Sequence, residues 1–369
     1  MNNRGDNMNK LGISLYPMHS SPEKDKEYID LASKYGFKRV FTCLLSVDGD
    51  KDKILQSFKD VIQHASSKGM EVIADVSPRI FKELGISYND LSFFHDLGAH
   101  GIRLDMGFTG SEEASMTFNP YNLKIEINMS NVTKYLDNIM TYKPNKENLI
   151  GCHNFYPHRY AGLSYEHFIK SSEQFKTHGL RTAAFVSSNN AEFGPWPIME
   201  GLSTLEMHRN LPIDVQAKHL FATGLIDDVI ISNCYASEEE LKALSKVNAN
   251  LMTFNVELYE GVEELQKTIV FDEKHFYRGD VSDYLIRSTQ SRVKYKGYDF
   301  KPFNTRDIKR GDVLIENNLY MQYAGELQIA IKDMENSGKT NVVGRIREEE
   351  IMLLDYLEPW EKFGFNNNK

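Results

Sequence analysis

The stretches Glu71-Val-Ile-Ala-Asp-Val-Ser77 and Gly101-Ile-Arg-Leu-Asp-Met-Gly107 decide the fold. In the first, Val72, Ala74 and Val76 occupy one parity while Glu71, Ile73, Asp75 and Ser77 occupy the other. The second splits the same way, with Ile102, Leu104 and Met106 against Arg103, Asp105 and Gly107. Alternation at period two is the mark of a β-strand whose two faces meet different surroundings. Lys124 to Ser130 repeats it. Working outward, similar runs occur at Leu11 to Tyr16, Arg39 to Ser46, Leu149 to Tyr156, Arg181 to Ser188 and Asp228 to Asn233, which makes eight, each followed by a helical stretch. Eight strand and helix units in this order predict a parallel (β/α)8 barrel of the TIM type, in which chemistry sits at the C-terminal ends of the strands.

The helix-facing side of a barrel strand must be apolar, so the polar parity points inward. Glu71, Arg103, Lys124 and Glu126 then fall in the lower interior, where buried charge must pair, and a salt-bridge network at the floor is the expectation. Asp75 and Asp105 fall one layer higher, at the strand mouths and at equivalent heights on adjacent strands. Two carboxylates in a poorly solvated cleft do not ionise independently, which makes an acid and a base from one residue type. The competing structural reading has Asp105 paired with Arg103 and Asp75 capping its loop. Around them the same parity places Ser14, Tyr16, Asn128, Asn154 and Tyr156, neutral groups suited to sugar hydroxyls and amides. His153 has the opposite parity and is expected to pack on a helix. Histidine and cysteine spacings give no metal set, so neither a metal nor a cofactor is expected.

The segment after the seventh run is long, and includes Phe193-Gly-Pro-Trp-Pro197 and Gly201-Leu-Ser-Thr-Leu-Glu-Met-His-Arg209. Long ordered loops on a barrel's catalytic face usually bind something. Glu206 has two readings of equal weight, a third catalytic carboxylate or the closing member of a capping box opened by Ser203. His208 and Arg209 are candidates for a substrate anion, with a solvated helix face as the alternative.

After the eighth run, Ser237 and Glu238-Glu-Glu240 open a helix, and the rhythm then changes. Strand-like runs follow at Leu251 to Leu258, Ser282 to Ser288, Ser291 to Tyr295, Asp312 to Glu316, Glu326 to Lys332 and Asn341 to Arg345, separated by turn signals such as Arg310-Gly311. This divides the chain into a polar extension (1–9), the barrel (10–247) and a small β-rich domain (248–369), a barrel or a sandwich. Between His275 and Arg310 stand nine Lys or Arg against four Asp. Arg278 and Arg287, beside hydroxyl donors, are the candidates there for an anionic substrate group. Protection of an exposed sheet edge is the alternative.

The chain of 369 residues has a net charge of −9 and is 41% hydrophobic. The negative balance argues against nucleic-acid and anionic-membrane partners, which need a positive field. The polar first ten residues suggest no export signal, and three dispersed cysteines fit a reducing cytoplasm.

With Leu11-Gly-Ile-Ser-Leu-Tyr-Pro17, Asp105-Met-Gly-Phe108, Gly201 to Arg209 and Tyr277-Arg-Gly-Asp-Val-Ser-Asp-Tyr-Leu-Ile-Arg287-Ser-Thr in view, the chain resembles the 6-phospho-N-acetylmuramidases, bacterial proteins formerly labelled outer surface proteins. The resemblance covers nearly the whole chain after about Met8. It implies a TIM barrel followed by a cyclophilin-like domain. It also implies hydrolysis of the β-1,4 bond of 6-phospho-MurNAc-GlcNAc, a phosphorylated amino-sugar disaccharide, in cell-wall recycling. Asp75 and Asp105 form the first catalytic pair and Glu206 is the third candidate. Which is the acid stays open, as do a substrate-assisted route, stereochemistry and a homodimer. His208, Arg209, Arg278 and Arg287 become candidates for the phosphate and lactyl carboxylate. The rivals are a phosphosugar aldolase or isomerase, disfavoured because Lys124 opens its strand rather than ending it, and a non-catalytic muropeptide-binding protein.

Overall fold

The computed structural model describes residues 9–44, 51–198 and 200–367, the side chains of 51–53 excepted. The chain divides into two compact units between Lys246 and Val247.

In the first unit, β1 (Lys10–Leu15), β2 (Arg39–Leu44), β3 (Glu71–Val76), β4 (Gly101–Leu104), β5 (Lys124–Asn128), β6 (Leu149–Cys152), β7 (Arg181–Val186) and β8 (Asp228–Ile231) form a closed barrel in sequence order. All neighbours are parallel, and β1 closes on β8 with Lys10 opposite Asp228. This is the (β/α)8 architecture that the eightfold rhythm implies. The end of the second run, through Ser46, lies outside the described residues. Helices alternate with the strands because the intervening segments carry helix starts. Ser21 caps Pro22–Lys34, accepting from the Lys24 amide, with proline at the first turn, and Ser164 caps Tyr165–Thr177. Gly101 opens β4 where a Cβ would come within 2.6 Å of the Lys124 carbonyl, a close approach only glycine allows.

The barrel floor is an ion-pair network. Arg39 spans Glu126 and Asp228, meeting Asp228 at 2.9 Å, and Arg181 reaches Asp228 at 2.6 Å. Lys10 pairs with Glu71 at 2.7 Å, and Lys124 donates to the Glu147 carbonyl and the Asn148 side chain. Arg39, Glu126 and Asp228 are buried, so removing any one would strand an uncompensated charge, at a cost of about 3–5 kcal/mol. Above the floor the interior divides. One side is apolar, formed by Tyr16, Phe41, Cys43, Cys152, Ala183, Phe185, Ile230 and Cys234. Polar groups of β3, β4 and β5 form the other.

In the second unit, β9 (Met252–Leu258), β10 (His275–Phe276), β11 (Leu285–Ser288), β12 (Asp312–Glu316), β13 (Leu327–Ala330), β14 (Thr340–Ile346) and β15 (Lys362–Asn367) form one mixed sheet, ordered β10-β15-β9-β14-β12-β13-β11. The run Ser291 to Tyr295, expected as a strand, is instead part of a helical turn at Gln290–Lys294. Its Val293 is exposed, so the apparent alternation has no buried face behind it. The apolar strand β15 escapes a pattern reading because Gly364 and the asparagines flank only two buried residues, Phe363 and Phe365.

Candidate functional site

The polar side of the barrel mouth is organised by Arg103. From inside β4 its guanidinium donates to Asp75 Oδ1 at 2.9 Å and to Asp105 Oδ1 at 3.3 Å through one nitrogen, Nη1, and through Nη2 to Asn154 Oδ1. Its Nε lies 3.9 Å from Glu126 of the floor. Arg103 thus belongs to the mouth rather than the floor, because its long side chain carries the charge well above its Cα. The strand register also differs from the expectation of equal heights. Asp75 is opposite Arg103, so Asp105 stands two residues further along, just past the end of β4.

That offset gives the two carboxyl groups different surroundings. Asp75 is buried, 6% exposed, and Cys43 Sγ approaches its Oδ2 at 3.7 Å. Burial pushes the Asp75 carboxyl up to about 6, outweighing the opposing pull of Arg103, and the charge of Asp105 adds to the rise. The Asp105 side chain is 44% exposed and also accepts from Asn128 Nδ2 at 3.3 Å. One acid shielded from water and one facing it, bridged by a single cation, is a division of roles made by environment.

Asn128 and Asn154 flank this pair. Asn128 Oδ1 accepts from the Ser130 amide at 2.9 Å, and the Asn154 amide donates to Ser130 Oγ at 2.8 Å. Ser130 in turn meets His153 Nδ1 at 3.2 Å. His153 is buried against Phe168, bonds Ser172 of the following helix at 2.9 Å, and is held neutral by burial, which lowers it to about 3. Its outward, helix-packed position agrees with its strand parity. Tyr156 follows on the same loop, its hydroxyl raised by partial burial. Ser14 and Tyr16 lie deeper. Ser14 is fully buried, and Tyr16 spends its hydroxyl on the Ser232 carbonyl at 2.5 Å within the apolar side of the interior. Among the described residues no cluster of ligating side chains is arranged to hold a metal.

Glu206 is engaged on every side. Its carboxylate accepts from the Tyr160 amide at 2.9 Å and the Gly162 amide at 2.8 Å, and from Arg209 Nε and Nη2 at 2.7 and 2.6 Å. These donors hold it near 2, well below the usual range, with Arg209 the largest cause. The remaining Arg209 nitrogen, Nη1, donates to the carbonyls of Tyr156, Glu200 and Gly201. The pair therefore clamps the loop after β6 to the loop after β7. A Cβ on Gly162 would meet Glu206 Oε2 at 2.7 Å, so the clamp depends on glycine there. Ser203 donates to the Leu205 carbonyl instead of capping a helix, because only a short turn, Glu206–His208, follows. His208 is buried and paired with His219 at 2.6 Å, and burial drives it far below its ordinary value, leaving no cation there for an anion.

In the second unit, Arg278 holds Asp280 through two nitrogens, at 2.6 Å for Nε, and donates to Thr289 at 3.3 Å. Arg287 and Arg292 share the buried Glu326, at 2.7 and 2.9 Å, and both lie over the Tyr323 ring. The local excess of cations is largely balanced by acids from outside the segment, including Glu273, Asp312, Glu326 and Asp333.

Models of the two halves of the 6-phospho-N-acetylmuramidase family match residues 11–246 and 252–366. The chain belongs to this family. Its members are glycosidases by name. A crystal structure of an uncharacterized B. cereus protein is 52% identical to it, with a TM-score of 0.91 over 97% of this chain and 99% of that one. A conserved Enterococcus faecalis protein of unknown function shares the fold at 24% identity and a TM-score of 0.74, over 97% and 96% of the two chains. No curated protein matches the chain. Among the described residues no helix is long and apolar enough to cross a membrane.

Proposed function

We propose that this glycosidase hydrolyses the β-1,4 bond of 6-phospho-MurNAc-GlcNAc, with Asp75 and Asp105 as its catalytic pair, in cytoplasmic recycling of cell-wall fragments. The observation that carries this reading is the Asp75–Arg103–Asp105 bridge at the barrel mouth. Asp75, raised to about 6, holds its proton in the range where a general acid works, and donates it to the glycosidic oxygen as the bond to C1 breaks. GlcNAc leaves with that proton. As that bond breaks, Asp105 meets the positive charge developing at C1, either by attack or by holding the acetamido group while its carbonyl oxygen attacks. Water then adds its oxygen to C1, displacing that group and returning a proton to Asp75.

Because both Oδ1 atoms contact the same nitrogen, they are separated by no more than about 6 Å, so the two carboxyl groups can act on one glycosidic bond. Asn128 orients Asp105 and Asn154 orients Arg103, both offer amides to the sugar, and Tyr156 offers a hydroxyl. Glu206 and Arg209 act as the clamp that fixes this loop. Arg278 and Arg287 are assigned to anion recognition in their own unit. Lys124 lies at the floor, away from the mouth, which disfavours an aldolase of the Schiff-base type.

The test is release of GlcNAc from 6-phospho-MurNAc-GlcNAc and from its unphosphorylated form. Cleavage of the phosphorylated disaccharide alone is the expected result. No cleavage of either removes the proposed hydrolysis, and equal cleavage of both removes the phosphate selectivity.

A further inference from the structure

The loop after β7 carries a tryptophan whose placement neither folding nor the carboxylate chemistry requires. Trp196 is 45% exposed. Its loop is pinned on both sides. Glu192 and Phe193 donate to the Cys234 carbonyl at 2.9 and 3.1 Å, His19 Nε2 bonds the Pro195 carbonyl at 3.2 Å, and Arg209 holds the carbonyls of Glu200 and Gly201. An indole held out at the rim of the barrel mouth, next to backbone anchored at Phe193 and Pro195, presents an aromatic face to whatever enters there.

Beneath it stands an aromatic wall. Trp196 packs on Phe155 with ring centroids 6.0 Å apart, and Phe155 meets Phe185 at 4.9 Å and Phe41 at 6.0 Å, edge to face. Phe41 and Phe185 belong to the barrel interior, so the wall runs from the core to the rim. Phe155 directly follows Asn154, which bonds Arg103 and through it the two aspartates. The wall is therefore continuous with the site.

We infer that Phe155 and Trp196 form a stacking platform for a neutral pyranose ring, the sugar on the leaving-group side of the scissile bond. The inference rests on the proposed glycosidase site. The axial C–H faces of a pyranose are apolar while its rim carries hydroxyls, a shape matched by an aromatic face beside the polar groups of Asn154 and Tyr156. The anionic half of the substrate needs cations, and an uncharged aromatic wall suits the half that carries none.

The chain has two tryptophans, and Trp360 lies in the other unit. Trp360→Phe leaves Trp196 as the only indole. Titrating this variant with free GlcNAc is expected to change Trp196 fluorescence saturably, while glycerol at the same concentrations leaves it unchanged. No saturable change with GlcNAc overturns the platform, whatever the enzyme does to the disaccharide. In kinetics on 6-phospho-MurNAc-GlcNAc, Trp196→Ala is expected to raise KM on the order of tenfold with kcat nearly kept, and Trp196→Phe to recover most of the loss. An unchanged KM in Trp196→Ala also overturns it. Failure of the wild type to cleave the disaccharide, with GlcNAc still saturating the Trp196 signal, refutes the proposed reaction and keeps the platform.

Discussion

Replacing Asp75 by Asn removes one proton and changes almost nothing in shape, so it isolates what that proton does. Burial raises the Asp75 carboxyl from 3.8 to about 6. A rise of about two units corresponds to about 3 kcal/mol by which the folded environment disfavours the ionised form. The acid is then roughly nine-tenths protonated at pH 5 and about one-tenth protonated at pH 7, so kcat/KM measured on the free enzyme should fall about tenfold between those values. The sign for stability follows from the same shift. A carboxyl raised in the fold binds its proton more tightly there than in the unfolded chain, so its contribution is fully present below the unfolded value and is lost as pH rises through about 6. Asp75→Asn should lower kcat by about 10²–10⁴-fold, abolish the alkaline limb, and leave Tm at neutral pH within a few degrees, because the ionised aspartate it replaces was itself disfavoured. The assay is GlcNAc release between pH 4.5 and 8.5 for both proteins. An alkaline limb unchanged in Asp75→Asn, or near-wild-type turnover, would refute the assignment.

Four further outcomes follow. Arg103→Gln removes the cation that holds Asp75 down, so any remaining activity should show its alkaline limb at higher pH; a limb at lower pH contradicts the bridge. Glu206→Gln should cost about 2–3 kcal/mol of stability at pH 7, seen in denaturant unfolding, and the difference from wild type should vanish as pH falls from about 4.5 toward 2, where a depressed carboxylate loses its contribution; a pH-independent difference argues against the clamp. Glu316, pushed up to about 7 chiefly by burial, destabilises the fold when ionised, so Glu316→Gln should raise Tm at pH 8 and leave it nearly unchanged near pH 4.5; equal shifts at both would reject this. Arg287→Ala should raise KM for the phosphorylated disaccharide with kcat nearly kept, and an unchanged KM removes Arg287 from anion recognition.

The barrel was legible because period two and the spacing of the runs are properties of Cα positions. Parity also placed Glu71, Glu126, Asp75 and Arg103 inside. What parity does not carry is the height of a charge at the end of a long side chain, so Arg103 reads as floor from sequence and bridges the mouth in the structure. The floor partners Arg39 and Asp228 were open to the same argument, since each begins its strand with inward parity. Glu206 illustrates a different limit. Ser203 to Glu206 has capping-box spacing, but the donors that claim the carboxylate come from Tyr160 and Gly162, more than forty residues away. Long-range loop contacts leave no periodic trace. The aromatic wall of Phe41, Phe155, Phe185 and Trp196 is invisible for the same reason, because it is drawn from β2, β7 and two separate loops.

The most direct test of the central claim is hydrolysis of 6-phospho-MurNAc-GlcNAc in ¹⁸O-labelled water, with both products weighed by mass spectrometry. The account predicts the labelled oxygen at C1 of MurNAc-6-phosphate and none at O4 of the GlcNAc released, read by fragment masses at early times, and neither product from Asp75→Asn/Asp105→Asn. Label at O4 of GlcNAc, a muramyl product unlabelled at those times, or full activity in the double variant would contradict it.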